Sequence, residues 1–411
     1  MSSLVKHYQN DMKNIPQLSN NWGSMINLLD KVLVEGFNFV PISSLTKSST
    51  DAITATISLG SGHGFIDRQV VRIAGSTNGW DGDYKVLSAN TDSVVVECAA
   101  TNAIAITGAV SCSTAPLDYE IVFRTPLGST EPKRAYRSKD PESLGLILLV
   151  HDFCVSGAAA SGAKFAKVGV VSSMSDIDTI TGTQMPYDSS NPNANWGWDG
   201  TYHGWAKWYY AVINANYSYR RENDSTSPSN FNRKFFIVGD GSSVSITNEI
   251  CKQEDQAMWV SYGFLEFYDQ SINSKNLSLL CFGGPQKYQQ SDDISLVSRG
   301  AFVAFGSGGD TATLNGGNLK GYIWFNSTGL AQSETLKRPP YLDTSDYLAL
   351  SDVLLIDLNN KPRGVLPFYR TTTQKLNSNN FDMNCGKYSV FYSHYNSDTA
   401  YTKFAVLAES K

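Results

Sequence analysis

Five short stretches between residues 53 and 110, ITATISL, QVVRIAG, YKVLSA, SVVVECA and AIAITGAV, mix apolar and polar positions and are separated by Gly, Asn and Asp. Successive side chains of a strand point to opposite faces, so stretches of this length and pattern describe half-buried strands rather than helices. The intervening GSGHG at 60–64 and GWDGD at 79–83 supply residues that tolerate the positive φ of tight connections. Strands at such regular intervals predict a small β-sandwich over residues 47–115, able to bury a face of its own.

On either side of this module the pattern changes only once. Trp22, Met25, Ile26, Leu28, Leu29, Val32 and Leu33 recur at spacings of three and four, which predicts one amphipathic helix ended by Gly36. From Leu117 onward YEIVFR, KFAKVGVV, RKFFIVGD, WVSYGFLEFYD, GYIWFN, DVLLIDL and YSVFYSHY again read as strands, with loop-rich excursions at 223–232 and around 290–318. The expectation is a mainly β chain: residues 1–46 give a helical segment of the main body, 47–115 an inserted sandwich, and 116–411 a β-rich body built from a discontinuous stretch. A chain of 411 residues with 41% hydrophobic and 17% charged residues has the means to build such cores.

Charge and motifs remove several function classes from the expectation. With 33 basic and 38 acidic residues the net charge of -5 offers no electrostatic footprint of the kind by which phosphate backbones are held. The longest apolar run, Leu144 to Val150, is too short to cross a bilayer and reads as a buried strand. No h-region follows the N-terminus, which suits folding in cytoplasm, and the six cysteines show no C-x-x-C pair, which suits reduced, mostly buried thiols.

Candidate chemistry is sparse. Asp176 and Asp178 in MSDIDT are alternate carboxylates, but a calcium loop would need further oxygen ligands, a turn glycine and a terminal Glu, so a loop bonding its own backbone is the plainer reading. Asp81 and Asp83 read in the same way as hairpin-turn residues. His151 and Asp152 are adjacent, and adjacent side chains on a strand face opposite ways, which argues against joint acid–base work. The clusters GSGHG, GDGSS and GSGGD lack the P-loop Lys-Ser/Thr and a following helical pattern, so they read as turns. No catalytic residue, cofactor or metal is therefore expected.

The feature left over is NWGWDGTYHGWAKWYYA at 195–211, where Trp196, Trp198, Trp205, Trp208 and Tyr209 crowd together. Three readings stand: a packed aromatic core, which is the plainest; a contact with another subunit; and a sugar-stacking platform, which no carboxylate pair at hydrolytic spacing accompanies.

In combination these motifs resemble a family of tailed-bacteriophage virion proteins. The resemblance runs through GSMINLLDKVLVEGFNFVP, EPKRAYRSKD at 131–140, LGLILLVHDF, AKVGVVSSMSDIDTITGTQMP with its distinctive Met174-Ser-Asp-Ile-Asp178, and KPRGVLPFYR at 361–370. Within the inserted module, His63-Gly-Phe65, Val70 to Gly75, Asn78-Gly79 and Tyr84-Lys-Val86 resemble a small sandwich recurrent in phage structural proteins. The chain departs from the pattern at VFRTPLG, where relatives carry a Gly-Trp element, and around 290–318. The resemblance implies a non-enzymatic virion component of the tail or baseplate, assembled in the bacterial cytoplasm. Its partners would be other virion proteins and copies of itself in a symmetric array, without nucleic acid or membrane insertion. The rivals are a host receptor- or glycan-binding appendage and a capsid decoration protein.

Overall fold

The structure is a computed structural model describing residues 4–153, 161–163, 165–182, 184–185, 206–211 and 232–251, together with the strands named below between Met258 and Ser410. It is mainly β. In chain order β1 (Lys6–Gln9) is followed by helix α1 (Ser24–Leu29), β2 (Phe37–Pro41), β3 (Ser44–Lys47), β4 (Thr54–Ser58), β5 (Val70–Ser76), β6 (Gly82–Ala89), β7 (Ser93–Glu97) and β8 (Gly108–Thr114). Then come β9 (Tyr119–Arg124), β10 (Lys133–Ser138), β11 (Ile147–His151), β12 (Phe165–Val171), β13 (Met174–Asp176), β14 (Thr179–Ile180), β15 (Gln184–Met185), β16 (Ala206–Tyr209), β17 (Phe235–Gly239) and β18 (Val244–Cys251). The remaining strands are β19 (Met258–Asp269), β20 (Ser274–Phe282), β21 (Val303–Gly306), β22 (Gly321–Phe325), β23 (Ser351–Ile356), β24 (Pro362–Thr372), β25 (Asn380–Met383), β26 (Gly386–His394) and β27 (Tyr401–Ser410).

The expected helix is present and short. Met25, Ile26, Leu28 and Leu29 are buried in α1, and the chain continues as a π-helical coil over Asp30–Glu35, with Val32 and Leu33 also buried. Asp30, at the change of pitch, is held by the Arg134 guanidinium at 3.1 Å and the Tyr136 hydroxyl at 2.6 Å. Gly36 ends the coil at φ 74°, and a Cβ there would lie 2.6 Å from the Thr114 carbonyl oxygen, so only glycine fits.

The inserted module is one seven-stranded sheet in the order β2-β8-β5-β6-β7-β4-β3. Its two edges, β2 and β3, are consecutive pieces of a single stretch. Lys47 N donates to Ile104 O and Ile106 N to Leu45 O, so the segment leading into β8 closes against β3. The sheet therefore rolls up around one core that includes Leu45, Ile57, Val71, Trp80, Val94 and Cys112. One point differs from the sequence expectation: the strands of this sheet begin at Phe37 rather than after residue 47. Alternation reports that a strand is half-buried and is silent on closure, and the polar SLTK of β3 reads as connector because only Leu45 faces in.

Two further sheets build the body. The first has the order β15-β12-β11-β10-β9, with β16 also alongside β12. Its inner face (Tyr136, Leu148, Val150, Val168) joins α1 and the residues Ile237, Ile246 and Phe264 in the largest core. Its outer face, with Ala135, Ile147, Leu149 and Val171, is covered by Met174, Ile177 and Ile180 of the β13–β14 hairpin. The second sheet runs β1-β17-β18-β19-β20-β21-β22-β23-β24-β27-β26-β25. In it β24 and β26 also pack on β19, and Ser245 hydrogen-bonds Tyr369, so the later strands fold back over the earlier ones. Among the described residues no helix is long and apolar enough to cross a membrane.

Candidate functional site

Of the aromatic stretch, Trp196, Trp198 and Trp205 lie outside the described residues. Trp208 and Tyr209 sit on β16, in register with Ala166 and Phe165 of β12. Trp208 is fully buried, and its ring stacks on Tyr262 of β19 with centroids 5.1 Å apart and planes inclined by 17°. The indole is thus packing between the two body sheets. Tyr210, just past β16, is also buried.

His151 and Asp152 are both buried and do not cooperate. His151 ends β11, in register with Lys133 on one side and Lys167 on the other. Burial, and then the charges of those two lysines, lower its imidazole to about 3, so the ring is neutral at ordinary pH. Asp152 turns the other way, toward α1. Its carboxylate accepts the amide N–H groups of Met25 at 3.0 Å and Ile26 at 3.3 Å, and the hydroxyl of Tyr210. It satisfies two of the helix donors that have no partner within the helix. Burial nevertheless raises this carboxyl to about 7, outweighing those donors.

The MSDIDT carboxylates form a turn. Asp178 N donates to Asp176 at 2.9 Å, Lys133 reaches Asp178 at 2.6 Å, and the backbone bond from Asp178 leads the causes that hold Asp176 below the usual carboxylate range. Among the described residues no group of three or more His, Cys, Asp or Glu is arranged to hold a metal ion. Asp81 caps its hairpin by accepting Ser76 N at 2.7 Å, and Asp240 of GDGSS accepts Ser242 N and Ser243 N in the same manner.

Asp83 is a correction: it is no turn residue but the centre of the joint between rolled sheet and body. Lys6 Nζ lies 2.6 Å from Asp83 and 3.5 Å from Asp118, and donates to the Pro116 carbonyl as well. Arg72 takes Asp83 in two bonds of 2.6 and 2.9 Å and reaches Asp118 at 2.6 Å. Burial works against the Arg72 charge, but the two carboxylates outweigh it and hold the guanidinium above its ordinary value. Tyr8, fully buried next to this group, donates to Ala115 O at 2.7 Å. Two cations and two anions from β1, β5, β6 and the β8–β9 link thus lock the module in place. No motif in the sequence marks them; the only trace is a charged Arg72 inside an otherwise apolar strand.

Past the β5–β6 hairpin the loops of the rolled sheet gather into a tip. Cys98 N donates to Ile53 O at 2.7 Å, Asn78 reaches Ala105 O at 2.8 Å, and Thr77 N reaches Thr107 O at 2.9 Å. Ile53 is 52% and Ile104 77% exposed there. The chain from Cys98 to Leu117 carries no charged residue, and the nearby Lys47 ammonium is bound to the carbonyls of Ala100 and Asn102. The tip sets these two exposed isoleucines beside exposed Asp51, whose carboxylate accepts Ile53 N and Thr54 N, and beside exposed Glu97. Comparison with protein-family models and with curated protein sequences finds no match for this chain.

Proposed function

We propose that this chain is a non-enzymatic structural component of a tailed-bacteriophage virion, in the tail or baseplate, that works through contacts with neighbouring virion proteins and copies of itself. The observation that supports this reading is the tip bearing the exposed Ile53 and Ile104, on a module joined to the body by the ion group of Lys6, Arg72, Asp83 and Asp118. Exposed apolar side chains cost free energy in water and return it when a partner covers them. A rigid mount lowers the entropy lost on docking. The resemblance of EPKRAYRSKD, MSDID and KPRGVLPFYR to the phage family supplies the class of particle. Such a protein would assemble in the bacterial cytoplasm and act in the particle, without cofactor, nucleic acid or membrane insertion.

The test is substitution at the tip. Ile53→Ser with Ile104→Ser should leave the far-ultraviolet spectrum and melting temperature unchanged while preventing incorporation of the chain into particles. Normal incorporation of the folded double variant would remove the assembly role from this surface.

A further inference from the structure

Asp152 enters no ion pair among the described residues, although it is fully buried. Its Oδ2 faces two amides of the first turn of α1, those of Met25 and Ile26, the Gly23 amide also donates to the carboxyl, and its Oδ1 faces the hydroxyl of Tyr210. The same hydroxyl is 3.4 Å from the carbonyl of Asn21, three residues before the helix. Three pieces of chain therefore meet at one carboxyl: the end of β11, the start of α1, and the segment after β16.

This geometry offers a complete set of hydrogen bonds in either protonation state. When the carboxyl is ionised, the amides and the Tyr210 hydroxyl donate to it. When it is neutral, Oδ2 still accepts the amides of Met25 and Ile26, the new proton sits on Oδ1 and is donated to Tyr210, and the tyrosine turns its own proton to Asn21 O. Among the described residues, only the ionised state leaves a buried net charge without a cation. We propose that Asp152, Tyr210 and Asn21 form a proton-operated latch on the start of α1, closed while the carboxyl holds its proton and loosened when the proton leaves. Burial, the dominant influence on this carboxyl, places the transition at about 7.

Among the described residues, the ionisable groups nearby are engaged elsewhere. Tyr136 of β10 shares the buried region and is driven well up, first by burial and then by Asp30, with Asp152 adding to the effect. The Arg134 guanidinium on the same strand is committed to Asp30. Arg233 donates to the carbonyl of Ala211, beside Tyr210, and His151 lies on the other face of the sheet. The latch stands independently of the virion reading.

Hydrogen–deuterium exchange of the full chain, followed on peptides covering residues 21–30 and corrected for intrinsic base catalysis, tests it. Raising the solution from about pH 6 to about pH 8 should speed exchange at Met25 and Ile26 roughly tenfold in the wild type. Asp152→Asn, which keeps the shape and cannot ionise, should show no such change. Tyr210→Phe removes a donor that favours the ionised form, so its transition should move to higher pH. Equal wild-type protection at both values would overturn the latch, as would an Asp152→Asn response matching the wild type. If Asp152→Asn does not fold, a Tyr210→Phe transition at the wild-type pH overturns it instead.

Discussion

Lys6 and Asp83, 77 residues apart in the chain, meet at 2.6 Å with side chains only 6% and 17% exposed. The N-terminal strand is thereby pinned to the rolled sheet, and Arg72 and Asp118 balance the remaining charge. Removing Lys6 leaves Asp83 its two bonds to Arg72 but takes away one cation and the donor to the Pro116 carbonyl. We therefore expect Lys6→Met to cost about 1–3 kcal/mol in urea unfolding. Lys6→Met combined with Asp83→Asn should cost clearly less than the sum of the two single changes. Additive effects would show that the pair does not act as a unit.

The neighbours His151 and Asp152 give a pH prediction with opposed signs. The histidine is lowered to about 3, so its contribution is complete above its usual value near 6.5 and is lost as pH falls from there toward 3. The aspartate is raised to about 7, so its contribution is complete below its usual value near 3.9 and is lost as pH rises from there to 7. Between about pH 4 and 6.5 folding releases one proton from the first and takes one up on the second, so their slopes cancel. Relative to wild type, Asp152→Asn should become more stable with rising pH by roughly 1.4 kcal/mol per unit in this window, and His151→Gln less stable by a similar slope. Denaturant midpoints at several pH values measure both; parallel curves for all three proteins would contradict the assignment.

Trp208 supplies packing between the body sheets through its stack on Tyr262. Trp208→Ala should lose about 3–5 kcal/mol, as other large-to-small changes in closed cores do, and Trp208→Phe markedly less. Calorimetric melting of both variants gives the comparison, and a mild Trp208→Ala effect would show that the core closes over the gap.

Closure of the rolled sheet predicts where it can be cut. Residues 37–117 expressed alone should melt cooperatively, since they keep both edges of the sheet and the closing bonds Lys47 N to Ile104 O and Ile106 N to Leu45 O. Residues 47–115 lack β2 and all of β3 except Lys47, exposing the edges of β4 and β8, and should fail to give dispersed amide resonances. A well-folded shorter piece would show that closure is dispensable.

The mainly β class and the single helix were legible because both leave periodic traces: two-residue alternation in QVVRIAG and SVVVECA, and three-to-four spacing from Trp22 to Leu33. The β2 and β3 edges were not, since FNFVP and SLTK are short and half polar, and their place depends on pairing with β8 and β4 far along the chain. The ionic joint is hidden for the same reason. Lys6, Arg72, Asp83 and Asp118 are unremarkable in sequence and become a group only through long-range register. His151 and Asp152 were correctly separated onto opposite faces by strand geometry, yet the capping of α1 by Asp152 needed three distant segments in place.

Electron cryomicroscopy of purified particles from lysates in which the chain is made tests the central proposal most directly. The proposal predicts density for many copies in a symmetric array, with the Ile53–Ile104 tip seated against a neighbouring subunit in an interface above roughly 1,000 Å². Absence of the chain from the particles, or a lone copy projecting into solvent and joined only through a terminus, would contradict it and favour a host-binding appendage or a role outside the particle.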